Sequence, residues 1–176
     1  MPKKNQTEEI KTTLQLVHHE LEPIYDYGSR VLILGTMPSP KSREEGFYYA
    51  HPQNRLWRVL SELMGETLPV STAEKKAFLR RHHIAMWDVL KSCRIKGADD
   101  SSISGAEPND INSILSASNI RAVFTTGKKA TDLYQRLCYP ITGVPSRYLP
   151  STSPANCRNC TLETLKDDYR IILDYL

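Results

Sequence analysis

No apolar run in this chain approaches the ~20 residues of a membrane-spanning helix, which excludes helical insertion into a bilayer. Cysteine is scarce: 4 thiols, Cys93, Cys138, Cys157 and Cys160, with no secretory leader ahead of them. They read as reduced thiols of a cytoplasmic protein. Charge of one sign is lacking too, since Lys+Arg 23 against Asp+Glu 20 leaves only +3. That mild excess permits nucleic-acid binding without demanding it, because a patch matters more than a total. There is no internal repeat and no low-complexity tract. Lys128-Lys129 after Gly127 lacks the rest of a phosphate-binding P-loop, so nothing supports a nucleoside triphosphatase. Cys157-Arg158-Asn159-Cys160 is the one metal-like spacing. Its further ligands would have to come from Cys93, Cys138, His82 or His83, and a lone CxxC is half of the four-ligand set that a structural site needs.

What is present suits one domain over residues 1–176, with residues 1–7 loose: 176 residues at 40% hydrophobic content can bury a real core. Ile10, Leu14, Val17 and Leu21 have the spacing of an amphipathic helix over 8–21, stopped by Pro23. Short apolar runs predict strands at 30–34, 84–90 and 121–126, with a fourth, shorter strand expected at 147–149. Helical spacing is found at 53–64, 72–82, 109–116, 128–137 and 162–175, while Ser, Asp and Gly mark 91–105 as loop. Strands alternating with helices predict a single-domain α/β/α sandwich with a mostly parallel central sheet of about four strands.

In such a sheet the carboxyl ends of the strands share one edge, where α/β folds place their ligand crevice. Gly35, Asp88, Gly127 and Ser151 should gather there. The long segment after the first strand is the richest: Gly35-Thr36-Met37-Pro38-Ser39, then Phe47-Tyr48-Tyr49, then His51-Pro52-Gln53-Asn54-Arg55. Pro38 and Pro40 argue against a helix or strand directly after Gly35. Glycine lets backbone approach a ligand, or it simply makes a tight strand exit. The aromatic residues offer faces for stacking on a base, or pack beneath the loop. Asn54 can pair with a base edge, hold a water, or cap a helix. His51 is a candidate acid near a leaving group, or bonds to backbone. The rigid, hydroxyl-rich loop Ser151-Thr152-Ser153-Pro154-Ala155-Asn156, flanked by Arg147 and Arg158, suits phosphate binding or is a capped entry into the last helix.

Taken together these blocks resemble the uracil-DNA glycosylase superfamily. Gly35-Thr36-Met37-Pro38-Ser39 sits at its first motif and Leu149-Pro150-Ser151-Thr152-Ser153-Pro154 at its second. Tyr49-Ala50-His51-Pro52-Gln53-Asn54-Arg55-Leu56-Trp57 resembles the mismatch-specific uracil glycosylases. With Ser42-Arg43, Gly46-Phe47-Tyr48-Tyr49 and Trp87-Asp88-Val89-Leu90, the whole is most similar to the DNA-deoxyinosine glycosylase branch. The resemblance covers Val31 to the last helix. It implies hydrolysis of the N-glycosidic bond of a flipped-out base, no cofactor and no metal in this branch. DNA carrying a deaminated base is the implied partner of a cytoplasmic monomer that has no dealings with membranes. Asn54 is then the catalytic residue; Gly35, Thr36, Met37, Pro38, Phe47 and Tyr48 bind the base, with Phe47 or Tyr48 stacking on it. Ser151, Thr152, Ser153, Asn156 and Arg158 bind DNA. Many members carry Asn, Asp or Glu at the third position of the first motif to handle water. Here it is Met37, and a thioether cannot activate water, which favours hypoxanthine over uracil. The rivals are a uracil or mismatch glycosylase, a non-catalytic DNA-binding module and a small-molecule nucleoside hydrolase.

Overall fold

The computed structural model describes residues 13–176. Four strands form a parallel sheet: β2 (Val31–Gly35), β3 (Ile84–Asp88), β6 (Ala122–Thr126) and β7 (Ser146–Leu149), in the order β3-β2-β6-β7. A three-stranded antiparallel sheet, β1-β4-β5, is made from β1 (Gln15–His18), β4 (Leu90–Lys96) and β5 (Asp99–Pro108). The α/β class and the parallel sheet of four strands are those predicted.

Strand β2 lies in the middle of the parallel sheet with every residue buried, so its apolar run serves two cores. Val31 and Ile33 face one cluster with Ile84, Met86 and Phe124; Leu32 and Leu34 face the other with Ala85 and Val123. Helices α2 (Leu56–Met64), α3 (Thr72–Arg81) and α7 (Leu162–Tyr169) cover the first face through Leu60, Phe78 and Leu165. Helices α4 (Ile111–Ala117) and α5 (Lys128–Leu133) cover the second together with β1 and β4, through Ile114, Leu133, Val17 and Cys93. Local signals set the ends. Ser71 and Glu74 form a capping box on α3, and Gly65 in the left-handed region closes α2.

Several expectations change. Residues 15–18 of the predicted helix over 8–21 are strand β1, pairing antiparallel with β4 along Gln15–His18; the part over 8–12 and the loose tail over 1–7 lie outside the described residues. Only Val17 of β1 is buried, so edge pairing rather than an amphipathic stripe fixes this segment. The predicted loop over 91–105 is mostly the β4–β5 hairpin, irregular in register and poor in apolar residues. Pro40 does not prevent a helix but starts one, α1 (Pro40–Glu45), with Ser39 capping it from the preceding position. The helix over 128–137 changes to π-type turns at Tyr134–Cys138 before a short helix, α6 (Tyr139–Thr142). The last helix tightens to 3-10 turns over Arg170–Tyr175. Among the described residues no helix is long and apolar enough to cross a membrane.

Asn109 pins the turn from β3 into β4: its side-chain amide donates to the carbonyls of Asp88 and Leu90, both at 3.0 Å. Asn109→Ala would leave both buried acceptors without that donor. A loss of about 1–3 kcal/mol is expected in a urea unfolding titration; an unchanged midpoint would contradict this reading.

Candidate active site

A cleft of about 320 Å³ opens at the carboxyl edge of the parallel sheet, lined by the loop after β2, the end of β3, the β4–β5 turn, Thr126 and the 151–155 loop. The predicted convergence is therefore present, with Gly127 beside Ser151, 3.5 Å separating a Cβ position on the glycine from the serine's Cβ. Gly35, Thr36, Met37, Pro38, Tyr48, Asn54, Ser151, Thr152 and Ser153 all border the cleft.

Asn54 stands one residue before Arg55, the N-cap of α2, and lines the cleft. Its Oδ1 accepts from the Leu56 amide and from the Thr152 hydroxyl, each at 2.9 Å. A backbone N–H can only donate, so the atom facing Leu56 must be the oxygen. The Asn54 NH2 has no partner among the described residues. The side chain therefore presents donors to the cleft, with its acceptor oxygen already engaged. Arg55 reinforces the joint: its backbone N–H donates to the Thr152 carbonyl at 3.2 Å, and its guanidinium donates to the Cys160 carbonyl. The Nε and Nη2 of Arg55 are buried without a partner among the described residues.

The aromatic trio divides by position. Phe47 does not line the cleft: it is buried, stacked on Trp57 at 5.9 Å between ring centroids, with the Lys75 ammonium 6.0 Å away. Tyr48 is 2% exposed and anchored by its hydroxyl to the Glu22 carbonyl at 2.7 Å, so it forms a wall. Tyr49, outside the expected base-binding set, lines the cleft with its hydroxyl 3.1 Å from Thr126 Oγ1. It holds a left-handed backbone, φ 51°, unusual for an aromatic residue. Burial, reinforced by the Asp88 charge, raises its phenol well above the ordinary range, so it stays neutral.

The second loop is also divided. Thr152 is 1% exposed and committed to Asn54, which makes it a brace rather than a surface contact. Asn156 spends its amide on the Ser151 carbonyl at 2.9 Å, closing the loop. Ser151 and Ser153 border the cleft; Arg158 is exposed beyond it, and Arg147 lies over the Tyr175 ring, 5.2 Å from its centroid. The four thiols do not gather: Cys93 and Cys138 lie in one core, Cys160 in the other, and Cys157 is exposed. Among the described residues no group of three or more His, Cys, Asp or Glu is arranged to hold a metal ion.

Two carboxylates enter the cleft. Asp88 closes the end of β3, its Oδ2 2.8 Å from His19 Nε2, with both side chains almost wholly buried. Asp100, at the start of β5, was not legible as a site residue. Burial raises its carboxyl above the ordinary range; the nearby Thr36 hydroxyl and the Lys129 charge oppose that.

A parallel α/β sheet whose strand ends frame a polar cleft with an amide donor and two carboxylates is the frame of an α/β enzyme. Residues 22–176 match the Uracil DNA glycosylase superfamily, and the chain belongs to it. Two similar proteins are named hypoxanthine DNA glycosylase. That of Methanosarcina barkeri is 34% identical over 140 residues, covering 78% of this chain and 87% of the relative. That of Methanosarcina acetivorans is 34% identical over 137 residues, covering 77% and 85%. A solution NMR structure of a candidate uracil DNA glycosylase from Methanosarcina acetivorans superposes with a TM-score of 0.75 at 27% identity, over 90% of this chain and 99% of that one.

Gly35 makes room for Asp88: a Cβ there would stand 2.5 Å from Asp88 Oδ1 and 3.0 Å from the Tyr49 hydroxyl. Gly35→Ala should therefore cost about 1–3 kcal/mol in thermal unfolding and displace the Asp88 carboxylate in a crystal structure. An unshifted carboxylate and melting temperature would refute the packing argument.

Proposed function

We propose that this chain is a monofunctional DNA glycosylase that hydrolyses the bond between deoxyribose and hypoxanthine in DNA. It would act in the cytoplasm as a monomeric, single glycosylase domain. The observation that carries the reading is the state of Asn54 at the cleft, whose acceptor is consumed within the protein and whose NH2 has no partner among the described residues.

The target nucleotide leaves the duplex stack, which costs least at a mispaired base such as deoxyinosine. A cleft of about 320 Å³ has the volume for one purine. Tyr48, Tyr49 and Gly35–Met37 line it. As the bond from C1′ to N9 lengthens, the sugar gains oxocarbenium character and negative charge moves onto the base. Asn54 donates to that charge, and fixed donors of this kind are worth most in a site from which water is excluded. His51 supports the same end: its Nδ1 accepts from the Gln53 amide at 3.1 Å, so in the neutral ring the other nitrogen carries the proton. Ser151 and Ser153 meet the phosphates on either side, with Arg158 further out. Thr152 and Asn156 hold that loop in shape.

The test uses purified protein, chelator and fluorescent duplexes carrying a single deoxyinosine or deoxyuridine, with alkali to cut at abasic sites. Strand breaks at inosine are expected. Asn54→Ala should slow them by about 10²–10³-fold, the cost of one lost transition-state donor. Breaks at uracil alone would transfer the protein to uracil repair. Binding without breaks at either base would refute the glycosylase reading.

A further inference from the structure

Hydrolysis needs an acceptor for a proton of the attacking water, and the groups described above leave that acceptor unassigned. The described side chains that line the cleft can be taken in turn. Met37 has only a thioether. Asn54 Oδ1 already receives two hydrogen bonds, which fill its lone pairs. His51 has its free lone pair turned to the Gln53 amide. Tyr49 is a neutral phenol engaged with Thr126. Serine and threonine hydroxyls have no useful basicity. Two carboxylates remain, and they differ. Asp88 is tied through Oδ2 to His19, while Oδ1 packs against the backbone of Gly35. Asp100 borders the cleft from the β4–β5 turn, with Gly97, Ala98 and, across from it, Thr36.

We propose that Asp100 is the general base of the reaction, accepting a proton from the water that attacks C1′. The inference rests on the glycosylase reading. Water oxygen forms a bond to C1′ as the bond to N9 breaks, and the bonding pair leaves with the base. One water proton passes to the Asp100 carboxylate. The departing purine anion, held by the Asn54 donors, takes a proton from solvent. Asp100 then returns its own proton to solvent. One water is consumed, and an abasic sugar and free hypoxanthine are formed. The elevated basicity of Asp100 suits the role, since proton acceptance improves as the acceptor approaches the working pH. The groups facing it are Asp88 from β3, Lys129 from α5, Cys93 from β4 and Asp99 from its own strand, with the Thr36 hydroxyl after β2.

The sign of the pH dependence follows. The base works only when ionised, so single-turnover excision should rise with pH through an acidic limb, displaced above the range of an ordinary aspartate, and then level off. The experiment measures single-turnover release from a deoxyinosine duplex across pH for the wild-type chain, Asp100→Asn, Asp88→Asn and Asp100→Ala with and without added formate. Asp100→Asn should lose about 10²–10⁴-fold in rate, keep its affinity for DNA and lose the acidic limb; formate should partly restore Asp100→Ala. Asp100→Asn within about twofold of wild type, or keeping the limb, overturns the assignment. Loss of DNA affinity in step with the rate, without formate rescue, also overturns it in favour of a structural role. Loss of the limb only in Asp88→Asn moves the base to Asp88. A wild-type chain that releases no base from deoxyinosine or deoxyuridine overturns the glycosylase reading, and the role of Asp100 with it.

Discussion

The side-chain oxygen of Asn54 is the joint on which the cleft depends. It takes the first free amide of α2 and the hydroxyl of Thr152, a residue 98 positions further along the chain than Asn54. One atom thus satisfies an orphan donor at a helix start and ties the loop after β2 to the loop after β7. The neighbouring Arg55 repeats the tie through its backbone and its guanidinium. Because the oxygen is spent in this way, the amide can turn only its donors outward. Structure and chemistry here are one constraint: the contact that closes the cleft also decides what Asn54 can do inside it.

Close packing at the strand ends supplies the rest. Gly35 has no side chain because Asp88 occupies that space, and Val89 and Leu90 donate their amides to the Gly35 and Thr36 carbonyls at 2.8 and 3.1 Å. Strand β3 is thereby locked to the exit of β2, and the chain turns directly into β4, whose hairpin carries Asp100 back over the opening. Tyr49, strained into the left-handed region, is held by Thr126 at the end of β6. Backbone strain of about 1–3 kcal/mol is kept only where surrounding contacts over-determine it, and this one sits at the mouth of the cleft.

Three of the four parallel strands, β2, β3 and β6, were legible because they are buried on both faces or nearly so, and continuous apolar runs such as Val31-Leu32-Ile33-Leu34 have few other uses; β7, at the sheet edge, has only Leu149 buried. The β4–β5 hairpin was not, since β5 is rich in Ser and Asp and pairs mainly through its backbone. The helix expected over 8–21 shows the opposite error: Ile10, Leu14, Val17 and Leu21 have helical spacing, yet edge pairing with β4 wins over residues 15–18. Pro40 has the look of a breaker, although Ser39-Pro40 is a cap followed by a first helical residue. Asn54 and the Gly35 and Ser151 loops could be picked out from residue type and order. Which of Phe47, Tyr48 and Tyr49 faces the cleft could not, because three successive aromatic residues in a loop carry no periodicity. Asp100 left no local signal: its meaning comes from a hairpin that folds over residues some sixty positions earlier, and the Asp88–His19 pair likewise spans 69 positions.

The most direct test of the account is the identity of what leaves the DNA. Protein and a duplex with one deoxyinosine are incubated in isotopically heavy water, and the products are weighed by mass spectrometry. The account predicts free hypoxanthine without the heavy oxygen and an intact strand bearing one abasic sugar, formed by attack of water at C1′. Release of deoxyinosine or its phosphate, which requires cleavage of the backbone, or no release at all from a duplex the protein binds, would contradict it.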